Sequence, residues 1–349
     1  TGLILTLTYK LLFIGDFSLG HHLAEEWRIL LNLLGLLLGF SILSKHFEES
    51  HIPEKLSHYL PSDWRGSFLL LVLVFIMSSF LDNIAAAIIG GTIAHVLFKG
   101  KVHLAFLAAI VAASNAGGTG SVIGDTTTTL MWIGGISPLK VLPAYIGSFG
   151  AFAFLSFIAA FQQNKYQKII KMDKQHLPIK GERVFVIFLI LVLTVLANWR
   201  FDFPALGVWI AILLGALFFN MPWGEIKHSW QGTVFLMALV MTASLMPVEK
   251  LPAASWISTL SLGFISAIFD NIPLTKLCLD QGGYDWGILA YAVGYGGSMI
   301  WFGSSAGVAL SNIFPEMRST IKYLKHGWFI IPSYVIGFFL MLFILGWNP

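Results

Sequence analysis

Ser114 to Trp132 reads SNAGGTGSVIGDTTTTLMW, a run of Asn, Gly, Ser and Thr with one carboxylate, Asp125, set between segments apolar enough to lie in lipid. A bilayer offers no water to unpaired peptide groups. Backbone this rich in glycine is therefore tolerated at membrane depth only where protein buries it or where it lines a solvated cavity. A break of this kind frees carbonyls and aims half-helix dipoles into the gap, which is how membrane transporters build ion and substrate sites near the midplane. The stretch marks a site.

The composition agrees with that class. With 56% hydrophobic and 11% charged residues among 349, the chain lacks the polar surface of a soluble globule and reads as an all-α polytopic membrane protein in contact with lipid. The formal charge of +3 says little by itself; no nucleic-acid partner and no cofactor are expected. One cysteine, Cys278, excludes an internal disulfide and offers no Cys-based metal site. Thr1 to Ile14 is apolar, holds only Lys10, lacks a basic leader, and reads as a first membrane helix rather than a cleavable signal.

Outward from the opening stretch, apolar runs of about 20 residues are read as spans and shorter ones as half-spans. Thr1 to Phe17 and Trp27 to Leu43 come first, then an aqueous loop from Lys45 to Gly66. Ser67 to Phe98 is apolar but interrupted by Asp82 and Asn83. As one helix it would rise about 48 Å, beyond a hydrocarbon core of about 30 Å, so it is expected to enter, turn at the Asp-Asn and leave on the same side. Val102 to Ile136 is a span broken in its middle, and Leu139 to Phe161 an ordinary span before the basic loop 162–183. Val184 to Trp199, Pro204 to Phe219 and Gly232 to Met246 follow as spans. Ala254 to Leu279 is again interrupted by Asp-Asn, Trp286 to Phe314 is again glycine-rich at its centre, and His326 to Trp347 closes the chain.

Two copies of one plan are legible here. Phe80-Leu81-Asp82-Asn83-Ile84 answers Ile268-Phe269-Asp270-Asn271-Ile272, and Gly117-Gly118 with Gly124 answers Gly296-Gly297 with Gly303 at the same spacing. A hairpin with Asp-Asn at its tip followed by a broken span, present twice, is the mark of a transporter built from repeats around a shared site. The odd number of spans between the copies inserts the second upside down. Charge supports the inversion: with loop 162–183 cytoplasmic, fifteen of the 21 Lys and Arg fall inside, and only Arg28, Lys140, Arg200 and Lys250 outside. Turning either hairpin into a full crossing would spoil that count.

These segments carry a resemblance. SNAGGTGSVIGDTTTTLMW, FLDNI, FDNIPL and GGSMIWFGSSAGVA resemble the signature segments of NhaD-type sodium/proton antiporters, a family of the ion transporter superfamily beside the arsenite efflux and divalent-anion/sodium symporter families. The resemblance covers roughly Ser67 to Ile136 and Ala254 to Phe314. It implies a homodimer with an elevator mechanism, in which hairpins and broken helices (67–136 and 254–314) form a transport domain sliding against a scaffold (1–66, 137–253 and 315–349). It also implies hairpin tips at Asp82-Asn83 and Asp270-Asn271, and unwound centres over Asn115 to Thr128 and Gly296 to Ala306. The ion-coupling carboxylate maps onto Asp125. One departure is Lys276, a cation just after the second tip. A bacterial inner membrane is the location this family implies.

The physics of antiport fits these residue types without the family. Sodium is a hard cation that prefers carboxylate, amide, hydroxyl and backbone oxygens. A partly dehydrated carboxylate holds a proton more readily than one in water, so proton and sodium compete for it. If the empty charged site is too costly to carry across, only loaded states move and exchange follows. Asp125 is the expected carboxylate, with Asp82 and Asp270 as partners. Asn83, Asn115, Asn271, Thr126, Thr127, Ser304 and Ser305 are the polar ligands, and Gly117, Gly118, Gly296 and Gly297 belong to the broken centres. Sodium is expected at Asp125, Asn83, Asn115 and Asn271.

Blander roles compete with these. Asp82, Asp270 and Asp125 are each placed to cap a helix, the Gly pairs to pack helices closely, and Lys276 to neutralise Asp270 or Asp280. His95 and His103 read as interfacial, the tryptophans as interface anchors and core, and Asp16 and Asp280 as solvated span ends. Other function classes are weaker. Transport of a citrate-like or arsenite-like anion through the same architecture lacks an arginine or a carboxylate clamp at the tips and centres. An intramembrane aspartyl protease would need the glycine that Val122 replaces before Ile123-Gly124-Asp125, and would need Tyr284-Asp285 in the opposite order. A passive channel gives no reason for hairpins from both faces.

Overall fold

Runs of Leu, Ala, Ile and Phe without strand-like alternation favour helix, and the computed structural model is helical, with no strand among the described residues. It describes all residues except 1, 14–18, 53–54, 56–58, 171–177, 202 and 246–251. Asp16, Lys250 and the centre of the basic loop, with Lys171 and Lys174, lie outside the described residues.

The chain begins with α1 (Gly2–Phe13) and α2 (Leu19–Glu49). The second runs past the expected loop boundary at Lys45, because Lys45 pairs with Glu48 on its own face and Glu49 with Arg183. The first hairpin is α3 (Trp64–Ser78) and α4 (Asn83–Leu97), and the first broken span is α5 (Leu104–Gly118) and α6 (Thr126–Ile133). After the short α7 (Pro138–Val141) come α8 (Ala144–Tyr166), α9 (Gly181–Phe201), α10 (Pro204–Ala216) and α11 (Gly224–Ser244). The second hairpin is α12 (Trp256–Ser266) and α13 (Asn271–Gln281), and the second broken span is α14 (Trp286–Gly296) and α15 (Ser305–Ile313). Finally α16 (Thr320–His326) meets α17 (Ile330–Leu345) at 60°, so the closing span starts at Ile330 rather than His326.

Among the described residues, the segments long and apolar enough to cross a membrane are Trp27–Glu49, Pro138–Tyr166 and Gly181–Phe201, with the bent α16–α17 pair as a fourth. The repeat helices are shorter. At 15 residues each, α3, α4 and α5 rise about 22 Å, which suits hairpin arms and half-spans rather than full crossings. The expected span Pro204 to Phe219 is helical only over Pro204–Ala216. The first hairpin doubles back on itself: a Cβ on Gly90 would meet Val74 at 2.3 Å, and these residues stand eight positions either side of Asp82.

The second copy repeats the first contact by contact. A Cβ on Gly117 would fall 2.0 Å from the Phe75 carbonyl, and one on Gly296 would fall 2.2 Å from the Gly263 carbonyl. Gly124 lies against the Ser78 carbonyl as Gly303 lies against that of Ala267. Ser78 Oγ donates to the Ser114 carbonyl, and Ser266 Oγ to the Val293 carbonyl. Helix ends approach so closely only where no side chain intervenes, as small residues permit in membranes.

Packing divides the helices differently from the expected scaffold and transport sets. Helices α8 and α17, expected in the scaffold, pack on each other and on the repeats. The reason is their small-residue faces: a Cβ on Gly337 would meet the Gly147 carbonyl at 2.4 Å and the Tyr291 hydroxyl at 2.1 Å. Hydrogen bonds reinforce this, with Tyr291 donating to the Tyr334 carbonyl at 2.9 Å and Tyr334 to the Leu260 carbonyl at 2.9 Å. Helices α2, α9 and α10 form another body, with α11 packed on α2. It is held by Trp209 donating to the Gly35 carbonyl and by the Ala205 amide donating to Asn32 Oδ1. Where α2 and α11 meet α6 and α13, the contact is an aliphatic seam of Leu33, Leu130, Val240 and Ile272. No hydrogen bond between described residues crosses it.

The repeated close contacts generate a prediction. Gly117→Ala and Gly296→Ala should each lower stability by about 1–3 kcal/mol through overpacking, measured by thermal unfolding in detergent. A loss for one variant only would break the equivalence of the two copies.

Candidate functional site

Helix α5 is buried from Ala105 to Gly118, and it presents Asn115 near its end. The chain then leaves the helix, and Asp125 caps the start of α6, its Oδ1 accepting the Thr127 amide at 3.1 Å. The four threonines explain why the break holds its shape. Thr128 Oγ1 donates to the carbonyls of Ser121 and Asp125, and Thr129 Oγ1 to those of Val122 and Asp125. Asn115 to Gly118 stay helical and Thr126 onward is helical again, so the unwound centre is shorter than Asn115 to Thr128. In the second copy Gly296 ends α14 and Gly297–Met299 forms a 3-10 turn. Gly117, Gly118 and Gly296 thus lie at helix ends and Gly297 in the 3-10 turn, all closely packed; a Cβ on Gly118 would lie 2.7 Å from the Gly124 carbonyl, and one on Gly297 2.6 Å from that of Gly303.

Three of the expected residues meet directly. Asn83, first residue of α4, donates from Nδ2 to Asn115 Oδ1 at 3.1 Å and, at the longer 3.5 Å, to Asp125 Oδ1. Asn115 Nδ2 donates to Ser298 Oγ at 2.9 Å, and the Ser298 carbonyl accepts from the Tyr323 hydroxyl. First hairpin tip, first broken span and second broken span are therefore joined by one chain of amides and hydroxyls. Asp125 is 1% exposed. Its Oδ2 and Thr127 Oγ1 are buried without a well-aligned hydrogen bond among the described residues, although the Thr127 side chain acts on the Asp125 carboxylate. In a low-dielectric interior an incompletely paired carboxylate is costly.

The other expected residues surround this knot. Asp82 makes no well-aligned side-chain cap to α4, although the Asn83 and Ile84 amides act on its carboxylate. With Thr126, Thr129 and Ile123 it faces Leu33, Leu36, Leu37 and Phe40 of α2 across a cavity of about 20 Å³, room for one water-sized body. Asp270 caps α13, accepting the Ile272 amide at 2.9 Å, and Asn271 behind it is buried. The charges of Asp82 and Asp270 both act on Asp125, so the three carboxylates belong to one electrostatic neighbourhood. Ser304 is buried and caps α15 by accepting the Gly307 amide, with Ser305 next to it half-buried. Lys276 is buried and its Nζ donates to Asp280 Oδ1 at 2.7 Å, so Asp280 is an ion-pair partner rather than a freely solvated span end. Among the described residues no Lys or Arg hydrogen-bonds to the knot.

Ser298 is not among the residues singled out from sequence, although a signal exists. It follows Gly296-Gly297 as Thr119 follows Gly117-Gly118, a hydroxyl at the same place in both copies. Thr128 and Thr129 were hidden in a run of four in which spacing alone does not separate ligands from loop ties.

Comparisons with known proteins place the chain among membrane transporters. A family model described as citrate transporter (CitMHS) matches residues 21–296. Sodium/proton antiporter 1 of Arabidopsis thaliana is 26% identical over 85% of this chain and 58% of its own length, so the chain spans little more than half of that relative. Sodium/proton antiporter 2 of the same plant is 26% identical over 83% of this chain and 79% of the relative. The Na(+)/H(+) antiporter NhaD of Vibrio cholerae is 23% identical over 77% and 68%. The similarity to NhaD-type antiporters drawn from the motifs is met by these matches. All are named as transporters, none as an enzyme.

The knot itself is testable by stability. Asn115→Ala, which leaves Asn83 and Ser298 without their partner, should cost about 1–3 kcal/mol in thermal unfolding, and more than Ser298→Ala, which strands only one amide hydrogen. Equal costs would mean that Asn115 does not hold Asn83.

Proposed function

The chain belongs to the citrate transporter (CitMHS) family and is an integral membrane secondary transporter, and from that premise we propose that it exchanges sodium or lithium for protons by alternating access. The observation that carries the reading is Asp125, a buried carboxylate with one oxygen incompletely paired among neutral amides and hydroxyls. A cation or a proton satisfies that oxygen equally, and one displaces the other. An uncompensated charge in the membrane interior costs about 3 kcal/mol or more, roughly a hundredfold in population. The empty site therefore stays behind while either loaded form crosses.

The body that moves comprises both repeats together with α8 and α17, and it slides along α2 and α11 as an elevator. The aliphatic contact of Leu33, Leu130, Val240 and Ile272 between them supports this, because its attraction is non-directional. In this reading the copies are inverted in the membrane, the hairpins are re-entrant, loop 162–183 faces the cytoplasm, and the working unit is a homodimer in a bacterial inner membrane. Asp82 and Asp270 act as charged partners of Asp125, and Asn83, Asn115, Asn271, Thr126, Thr127, Ser304 and Ser305 as polar ligands.

A second reading, coupled transport of a small anion such as citrate, is favoured by the description of the matched family model and by buried Lys276. The pairing of Lys276 with Asp280 counts against an anion clamp there. Proteoliposomes with an internal pH reporter distinguish the two. Sodium or lithium pulses should release protons, and Asp125→Asn should reduce the response to background. Uptake of citrate with no response to any monovalent cation would replace the antiport reading. Lys276→Ala should leave the sodium half-saturation unchanged if the ion pair is structural.

A further inference from the structure

Three stretches distant in sequence meet at one end of the helices. The His103 amide, where α5 begins, donates to Gln163 Oε1 at 2.7 Å, and Gln163 Nε2 donates to the Lys101 carbonyl at 3.2 Å. The His103 ring stands 5.2 Å from that of Tyr166 at the end of α8 and 5.2 Å from that of His326 at the end of α16. A Cβ on Gly327 would lie 3.1 Å from Ala108, so the bend between α16 and α17 is seated on α5. This packing collects six exposed lysines, Lys99, Lys101, Lys165, Lys168, Lys322 and Lys325. Residues 98–103, 163–170 and 317–328 contain no Asp or Glu, and none of the six lysines forms an ion pair among the described residues. Like charges gathered on one face repel until a counter-charge arrives.

Apolar side chains are exposed beside these cations. Ile321 is 82% exposed and Trp328 51%, with Leu324 between them also exposed, whereas Tyr323 is fully buried. The outer side of α16 is thus both cationic and aliphatic, and its inner side is fastened: the Tyr323 hydroxyl donates to the Ser298 carbonyl at 3.1 Å, and Trp301 Nε1 to Thr320 Oγ1 at 3.1 Å. We infer that this face binds the headgroups of anionic phospholipids. The lysines meet phosphate oxygens as point charges, Trp328 sits at headgroup level, and Ile321 and Leu324 enter the acyl boundary. A free phosphate ion would use the lysines and leave the apolar side chains in water. A second copy of this chain, meeting the face across a two-fold axis, would set lysine against lysine. An anionic membrane surface answers both features at once, and in the orientation proposed above this is the cytoplasmic leaflet. Lipid bound here holds α16 against the second broken span, so it stabilises the folded chain by mass action.

The test is thermal unfolding of the purified chain in neutral detergent, titrated with phosphatidylglycerol, with phosphatidylcholine or with inorganic phosphate. Phosphatidylglycerol should raise the melting temperature saturably, and the other two should not. At about fivefold in affinity per cation removed, the double variant Lys322→Gln/Lys325→Gln should raise the half-effective lipid concentration about 25-fold. Ile321→Ser should raise it as well, and Lys140→Gln, a cation expected at the opposite face, should leave it unchanged. All four positions are exposed, so the variants should keep the wild-type melting temperature in detergent alone. Equal stabilisation by phosphatidylcholine or by phosphate overturns the inference, as does a half-effective concentration unmoved in the double variant. Conversion of a dimer to a monomer by Ile321→Ser or by the double variant also overturns it, and gives the face to a second copy. Transport is not read, so the outcome is separate from that of the antiport assay.

Discussion

Polar groups placed where water does not reach have to be satisfied by the protein itself, and the chain of contacts from Asn83 through Asn115 to Ser298, with Asp125 beside it, is how this structure meets that demand. An isolated amide or carboxylate in such surroundings costs more than a single hydrogen bond returns. The broken span is therefore stable only with the first hairpin tip and the second broken span in place. The threonine ties of Thr128 and Thr129 and the backbone contacts of Gly117 and Gly124 belong to the same requirement. They tie the unwound segment to the start of α6, beside the incompletely paired carboxylate of Asp125.

Duplication supplies the frame and asymmetry supplies the chemistry. Paired contacts such as Ser78 with Ser114 and Ser266 with Val293 make the two copies meet with equivalent surfaces. Within that frame the caps differ, Asp125 against Ser304, while Asp82 and Asp270 each stand against the first amides of the helix that follows them. The first copy carries Asp125 at its cap, and the second carries a hydroxyl there with its carboxylate, Asp270, at the hairpin tip.

The contacts inside the repeat-bearing body differ in kind from those it makes with α2 and α11. Inside, tyrosine hydroxyls and facing glycines lock α8, α14 and α17 together. At the boundary with α2 and α11 lie Leu33, Leu130, Val240 and Ile272, side chains whose attraction is non-directional and changes little as one surface shifts along the other.

Much of this was legible in the residues. The low content of charge decided a helical membrane class, the two Asp-Asn interruptions located the helix breaks at Ser78 to Asn83 and Ser266 to Asn271, and the run around Asp125 located the knot, because intramembrane glycine and carboxylate are too costly to occur without purpose. Other points required the fold. That Asn115 bonds Ser298, 183 positions away, that α8 and α17 join the repeats, and that Lys276 turns to Asp280 are decided by which surfaces meet. Period and composition describe what one helix can bury, whereas the partner of a buried polar atom is chosen by the packing of helices distant in sequence.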